Sequence, residues 1–190
     1  MANKVKYGLQ NVYYAVATID AANHTATYGT PVAIPGAVSL SLTAEGDQTK
    51  FRADNIDYWI GTANNGYSGD LEIALIPKSF KTAILGMQES GGALVETVDA
   101  NAVPFALLFQ FEGDANATRH VLYNCTAARP QISGQTTQET IEPQTETLSL
   151  TASSIYNTTL QKEIVKASVE NDTEGATVYA GWTGEVWQPA

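Results

Sequence analysis

Between Phe105 and Phe111 the chain puts Phe105, Leu107, Phe109 and Phe111 on one side of an extended backbone and Ala106, Leu108 and Gln110 on the other. Successive side chains of a strand point to opposite faces, so both faces of this segment are largely apolar. A strand of that kind belongs at the centre of a sheet, with cover on both sides. Its expected hairpin mate is Arg119–Thr126, reached through a Gly-Asp-Ala-Asn turn at 113–116.

Elsewhere the period is two, with one wet face. Val38, Leu40 and Leu42 alternate with Ser39, Ser41 and Thr43; Leu71, Ile73 and Leu75 alternate with Asp70, Glu72 and Ala74; Leu148 and Leu150 lie inward in Thr147–Ala152. Each reads as a half-buried antiparallel strand. Further strands are expected at Asn11–Thr18, Thr25–Ile34, Asp57–Gly61, Leu94–Val98, Glu163–Val169 and Thr177–Ala180. One short helix is expected over 78–85, opened by Pro77, with Phe80 and Ile84 one turn apart and Gly86 as the stop. Two turns do not stand alone in water, so this helix must dock, through Phe80 and Ile84, on the sheets. The expected fold is mainly β, an antiparallel sandwich or barrel with one short flanking helix. Two connectors are long for a compact domain: Ala44–Asn55, and Ser133–Glu146 with Ile141 as its single apolar residue. Both are read as candidate assembly arms, the second as an arm or a protruding hairpin.

At 190 residues the chain fits a single domain with a real core, ending in a tail at 181–190. A net charge of −10 leaves no basic footprint for gripping nucleic acid. Acidity does permit a wall that a polyanion slides past without sticking. The lone cysteine, Cys125, excludes an internal disulfide framework and reads as a small buried hydrophobe on the face of Val121 and Tyr123. No signal peptide or membrane span is legible, so synthesis in a reducing cytoplasm is expected.

The residue types of catalysis do not gather in any known spacing. His24, in a turn, and His120, expected on a solvent face, show no zinc-site pattern, and no metal or cofactor is expected. There is no G-x-S-x-G elbow and no glycine-rich phosphate cradle. Asp54 and Asp57, or Asp70 and Glu72, are the nearest approach to a glycosidase pair, but the latter lie on a wet strand face, the ordinary place for carboxylates. No enzyme is expected. Trp182 and Trp187 fall in the last ten residues and read as anchors that pin the tail to the domain or to a neighbouring subunit.

An ordered series of segments carries a resemblance. It runs Glu45-Gly-Asp-Gln-Thr-Lys-Phe-Arg-Ala-Asp-Asn-Ile-Asp-Tyr, Gly66-Tyr-Ser-Gly-Asp-Leu-Glu-Ile-Ala-Leu-Ile-Pro and Phe80-Lys-Thr-Ala-Ile-Leu-Gly. It continues through Pro104-Phe-Ala-Leu-Leu-Phe, Arg119-His-Val-Leu-Tyr-Asn-Cys-Thr-Ala-Ala-Arg-Pro and Thr145-Glu-Thr-Leu-Ser-Leu-Thr-Ala. From about Val5 to Val186-Trp-Gln-Pro the chain resembles the major tail proteins of long, non-contractile-tailed bacteriophages, the phi13-type group. That resemblance implies a virion structural protein made in the host cytoplasm. Six copies per ring would stack into a hollow tail tube, with tape-measure and tail-completion proteins as partners and DNA passing through the lumen without specific binding or any membrane role. Some relatives carry an added immunoglobulin-like domain, for which this chain leaves no room after Ala190.

Under that reading the inter-subunit contact candidates are Asp47, Lys50, Arg52 and Asp54 in the first connector and Glu139, Ile141, Glu142 and Glu146 in the second. Phe80 and Ile84 on the helix and Trp182 and Trp187 in the tail complete the set. Asp70 and Glu72 are the lumen-facing acid candidates. A second reading from a different class stays open: a β-sandwich module that binds host-surface carbohydrate through Tyr58, Trp59, Trp182 or Trp187.

Overall fold

The segment that is apolar on both sides lies between two cores. The computed structural model describes Val5 and residues 7–112, 117–136 and 143–189. The first strands are β1 (Tyr7–Asp20), β2 (Thr25–Tyr28), β3 (Val32–Ala33), β4 (Ala37–Glu45), β5 (Gln48–Ala53), β6 (Ile56–Thr62) and β7 (Gly66–Ile73). Helix α1 (Lys78–Ala83) is followed by β8 (Gln88–Ser90), β9 (Ala93–Val95), β10 (Phe105–Glu112) and β11 (Arg119–Ala127). Then come β12 (Glu146–Ser153), β13 (Ile155–Asn157), β14 (Lys162–Ile164), β15 (Lys166–Val169) and a second helix, α2 (Ala176–Gly181). The main sheet is antiparallel in the order β2-β1-β10-β11-β12-β7-β4, with β3 also pairing β1 and β15 also pairing β11.

On one side of β10, Phe105, Leu107 and Phe109 pack with Val12 and Tyr14 of β1, Leu71 and Ile73 of β7, and Leu148 and Leu150 of β12. Strands far apart in the sheet order share this cluster, so the sheet folds over itself into a sandwich. Phe80 and Ile84 bring α1 into the same cluster, with the Phe80 ring edge-on to Tyr14 and Phe105 at 5.0 and 5.4 Å between centroids. On the other side, Ala106 and Leu108 pack with Val121, Tyr123, Ile155 and Trp182. Burying each large side chain contributes about 1.5–3 kcal/mol, so two cores on one strand make β10 the energetic centre.

The structure corrects several expectations. The stretch 177–180 is helical rather than extended: Val178 and Trp182, four apart, turn to the second core, and that packing overrides the β preference of Thr177, Val178 and Tyr179. Arg119 clamps this helix to the sheet, donating from Nη1 to the Tyr179 carbonyl at 2.6 Å and stacking over the Tyr179 ring at 3.9 Å. Cys125 is buried as expected, but on the opposite face from Val121 and Tyr123. Phe105 pairs with Cys125 and Leu107 with Leu122, so a bulge inserts one extra residue into β11 and reverses the alternation. His120 is not on a solvent face; its ring stacks on Phe109 at 5.1 Å. Leu75 lies beyond the end of β7 and is exposed, while Ile76 takes the inward position. Thr25–Ile34 divides into β2 and β3 around Gly29-Thr30-Pro31, and Ala44–Asn55 is chiefly strand. The expected 113–116 turn lies outside the described residues.

Candidate assembly surfaces

The β5–β6 hairpin stands apart from the sandwich as a sheet of its own. It continues the β4–β7 pair outward: Asn65 N–H donates to the Glu45 carbonyl at 2.9 Å and Ala63 N–H to the Asp47 carbonyl at 3.1 Å. The bend at its base is made by glycine. Gly46 has φ +142, and a Cβ there would lie 2.0 Å from the Ala63 carbonyl oxygen. At the tip Asp54 and Asn55 take φ of 51° and 62°, the signature of a two-residue type I′ turn, joining Ala53 to its partner Ile56.

What this arm displays is apolar. Phe51, Ile56, Tyr58 and Trp59 are each more than half exposed, and Ile60 is nearly so. Phe51 and Trp59 are direct cross-strand partners and so share one face, with the Trp59 ring folded across the space left by Gly61. A two-stranded hairpin is marginal in water by itself, and a concentrated apolar surface on one marks an interaction site. Its charges are arranged locally: Asp57 takes Lys50 at 3.3 Å and Arg52 at 3.4 Å, all three well exposed. Exposed pairs of this kind contribute at most about 1 kcal/mol. Asp47 and Asp54 are exposed at the base and tip.

A second surface is polar and built in register. Across β4, β7 and β12 the aligned rows are Ser39–Glu72–Thr147, Ser41–Asp70–Ser149 and Thr43–Ser68–Thr151. Their apolar neighbours in sequence, Leu71, Leu148 and Leu150, point into the core, so these rows form the outer face. Ser149 donates to Asp70 at 2.7 Å, while Ser39 and Thr145 donate to Glu72 at 2.9 and 2.6 Å. The hydroxyls of Thr145 and then Ser39 hold the Glu72 carboxyl below its ordinary range. Ser68 donates in the same way to Glu45 at the arm's root. The outcome is a face of hydroxyls and carboxylates whose three rows contain no base.

The remaining candidates separate. Phe80 and Ile84 are fully buried, and Trp182 is 2 % exposed, so none of these can touch another subunit; they hold α1 and the tail to the chain's own sheets. Trp187 stacks on Trp182 at 6.1 Å. Gln188 and Asn157 tie the same tail down through the Ala26 and Pro189 carbonyls. Glu146 turns inward as well, accepting from the Ile76 N–H at 2.7 Å and lying 3.6 Å from Lys81 Nζ. Glu139, Ile141 and Glu142 lie outside the described residues. The four aromatic residues of the carbohydrate reading do not make one platform, because Trp182 is buried in the second core while Tyr58 and Trp59 sit on the arm.

No protein-family model and no curated protein sequence matches the chain. One similar solved structure is a chain of the anti-feeding prophage baseplate, 6-fold symmetrised, determined by cryo-EM. It is 13% identical with a TM-score of 0.45, over 87% of this chain and 95% of that one.

Proposed function

We propose that this protein is a non-catalytic structural subunit of a bacteriophage tail, polymerising into stacked rings that form a hollow tube. The observation that carries the reading is the β5–β6 arm, a hairpin outside the main sheet whose Phe51, Ile56, Tyr58 and Trp59 are each more than half exposed. A subunit that closes rings by head-to-tail contacts needs one surface that projects and another that receives. The carboxylate-hydroxyl face of β4, β7 and β12 supports the rest of the reading, because a base-free acidic wall repels phosphate and lets DNA pass. On this reading Asp70 and Glu72 face the lumen, and tape-measure and tail-completion proteins meet the assembled tube.

Negative-stain electron microscopy of concentrated protein tests it. Wild-type protein gives rings or tubes, and Phe51→Ser with Trp59→Ser, both exposed and so tolerated by the fold, gives neither. Wild-type preparations that hold only separate single particles across concentration and ionic strength defeat the proposal.

A further inference from the structure

The sandwich has an open end. There β15 takes the first stretch of the β11 edge, at Arg119–Leu122, and β12 takes the second, at Asn124–Ala127. Between β4 and the β10–β11 pair this leaves a groove of about 410 Å³, walled by Leu40, Leu42, Tyr67, Phe109 and Phe111, with Lys166 at its rim. The groove runs beside β4, which among the described residues pairs only with β7 and so presents an open strand edge. An open edge next to an apolar pocket is what strand addition requires: main-chain groups supply affinity and the pocket selects side chains.

We propose that this groove receives the β5–β6 arm of a second copy, with Phe51 and Trp59 as the inserted side chains. Three features favour that occupant. The arm is the concentrated apolar projection among the described residues, and its paired aromatic rings suit a groove of aromatic and leucine walls. The charges are compatible: the groove lining carries Lys166 and no carboxylate, and the arm tip carries Asp54, while Asp57 is offset within the arm by Lys50 and Arg52. The arm also leaves its own domain in line with β4 and β7, so it reaches outward to another molecule. The contact is heterologous, each copy giving an arm and receiving one, and such contacts propagate into rings or filaments. This inference rests on the tail-subunit reading for its setting and supplies the acceptor that reading lacks.

Sedimentation of two complementary variants tests it. One, Phe51→Ser with Trp59→Ser, has a defective arm and an intact groove; the other, Leu42→Gln with Lys166→Glu, has the reverse. Each alone associates at least tenfold more weakly than wild type. Mixed in equal amounts they form a one-to-one heterodimer and nothing larger, because the one good arm then fills the one good groove. Lys166→Glu alone, at an exposed position, weakens association in the same direction; because it also removes the ammonium 4.7 Å above the Tyr67 ring, its melting is compared with wild type. Hydrogen exchange at β4 amides slows when wild-type protein associates.

A groove variant that assembles like wild type overturns the inference in favour of arm-to-arm pairing. A wild-type monomer with Trp59 buried overturns it in favour of an arm folded back on its own groove. A mixture that forms no heterodimer overturns it as well. Association by this route without rings or tubes removes the tail-tube reading and leaves the inference standing; tubes built by the groove variant do the reverse.

Discussion

Asn124 sits at the bulge of β11, with its amide donating to Ser153 Oγ and the Ser154 carbonyl, and the inserted residue carries Cys125 from one core to the other. Complete burial then pushes the Cys125 thiol up to about 12. Burial also raises the phenols of Tyr28 and Tyr123, which share the second core. All three are acids whose folded forms keep a proton that the unfolded chain releases. Their contribution is therefore intact below pH 9 and is lost as pH rises from the ordinary thiol value of 9.0 and phenol value of 10.0 towards the folded values. We expect denaturation midpoints to fall steadily above pH 9, and Cys125 to resist alkylation until the chain unfolds. Rapid alkylation of folded protein at pH 8 contradicts this burial. Glu146 gives a second case at this scale. Glu146→Ala strips the Ile76 N–H of its acceptor and should cost about 1–3 kcal/mol in urea titration, whereas Glu146→Gln keeps an oxygen there and should recover most of it.

At the scale of elements, the arm depends on Gly46 more than on any apolar residue. A side chain at Gly46 collides with the Ala63 carbonyl and strains a backbone at φ +142. Gly46→Val should leave the melting of the sandwich unchanged while amide exchange in β5 and β6 becomes fast; protected arm amides in that variant refute the hinge. Period-two strands and α1 were legible in the sequence because burial is one-sided there: Leu40, Leu71, Leu148, Phe80 and Ile84 all face inward as their spacing requires. Asp57–Gly61 reads as a strand and Ala44–Asn55 as an arm. Their pairing into one hairpin was not legible, since its residues are exposed on both faces and its Asp54-Asn55 turn lacks the glycine that usually marks such hairpins. The α2 helix was hidden by Thr-Val-Tyr, residues that favour strands until Arg119 and Trp182 fix them otherwise. The carboxylates of the polar face could be placed on a wet side, but the hydroxyl that each accepts from is a matter of register among three strands.

For the whole molecule, the sign of the charge on the β4–β7–β12 face should decide how it meets DNA. Asp70→Lys with Glu72→Lys places two cations where Ser149, Ser39 and Thr145 now donate to carboxylates. We expect that variant to retain duplex DNA at low salt with binding that falls steeply as salt rises, and wild type to show none. Equal behaviour of the two proteins removes this face from consideration as a DNA-facing wall. The arm's continuity with β4 and β7 has a mechanical consequence too. A pull on the arm runs along both strands, parallel to their axes. It meets the β7–β12 ladder in shear, so the pairs from Tyr67–Ala152 to Ile73–Glu146 share the load instead of opening one after another. Resistance to such a pull is set by the rate of forced unfolding rather than by equilibrium stability. A subunit held by its arm is thus gripped in the direction in which its sheet is hardest to tear.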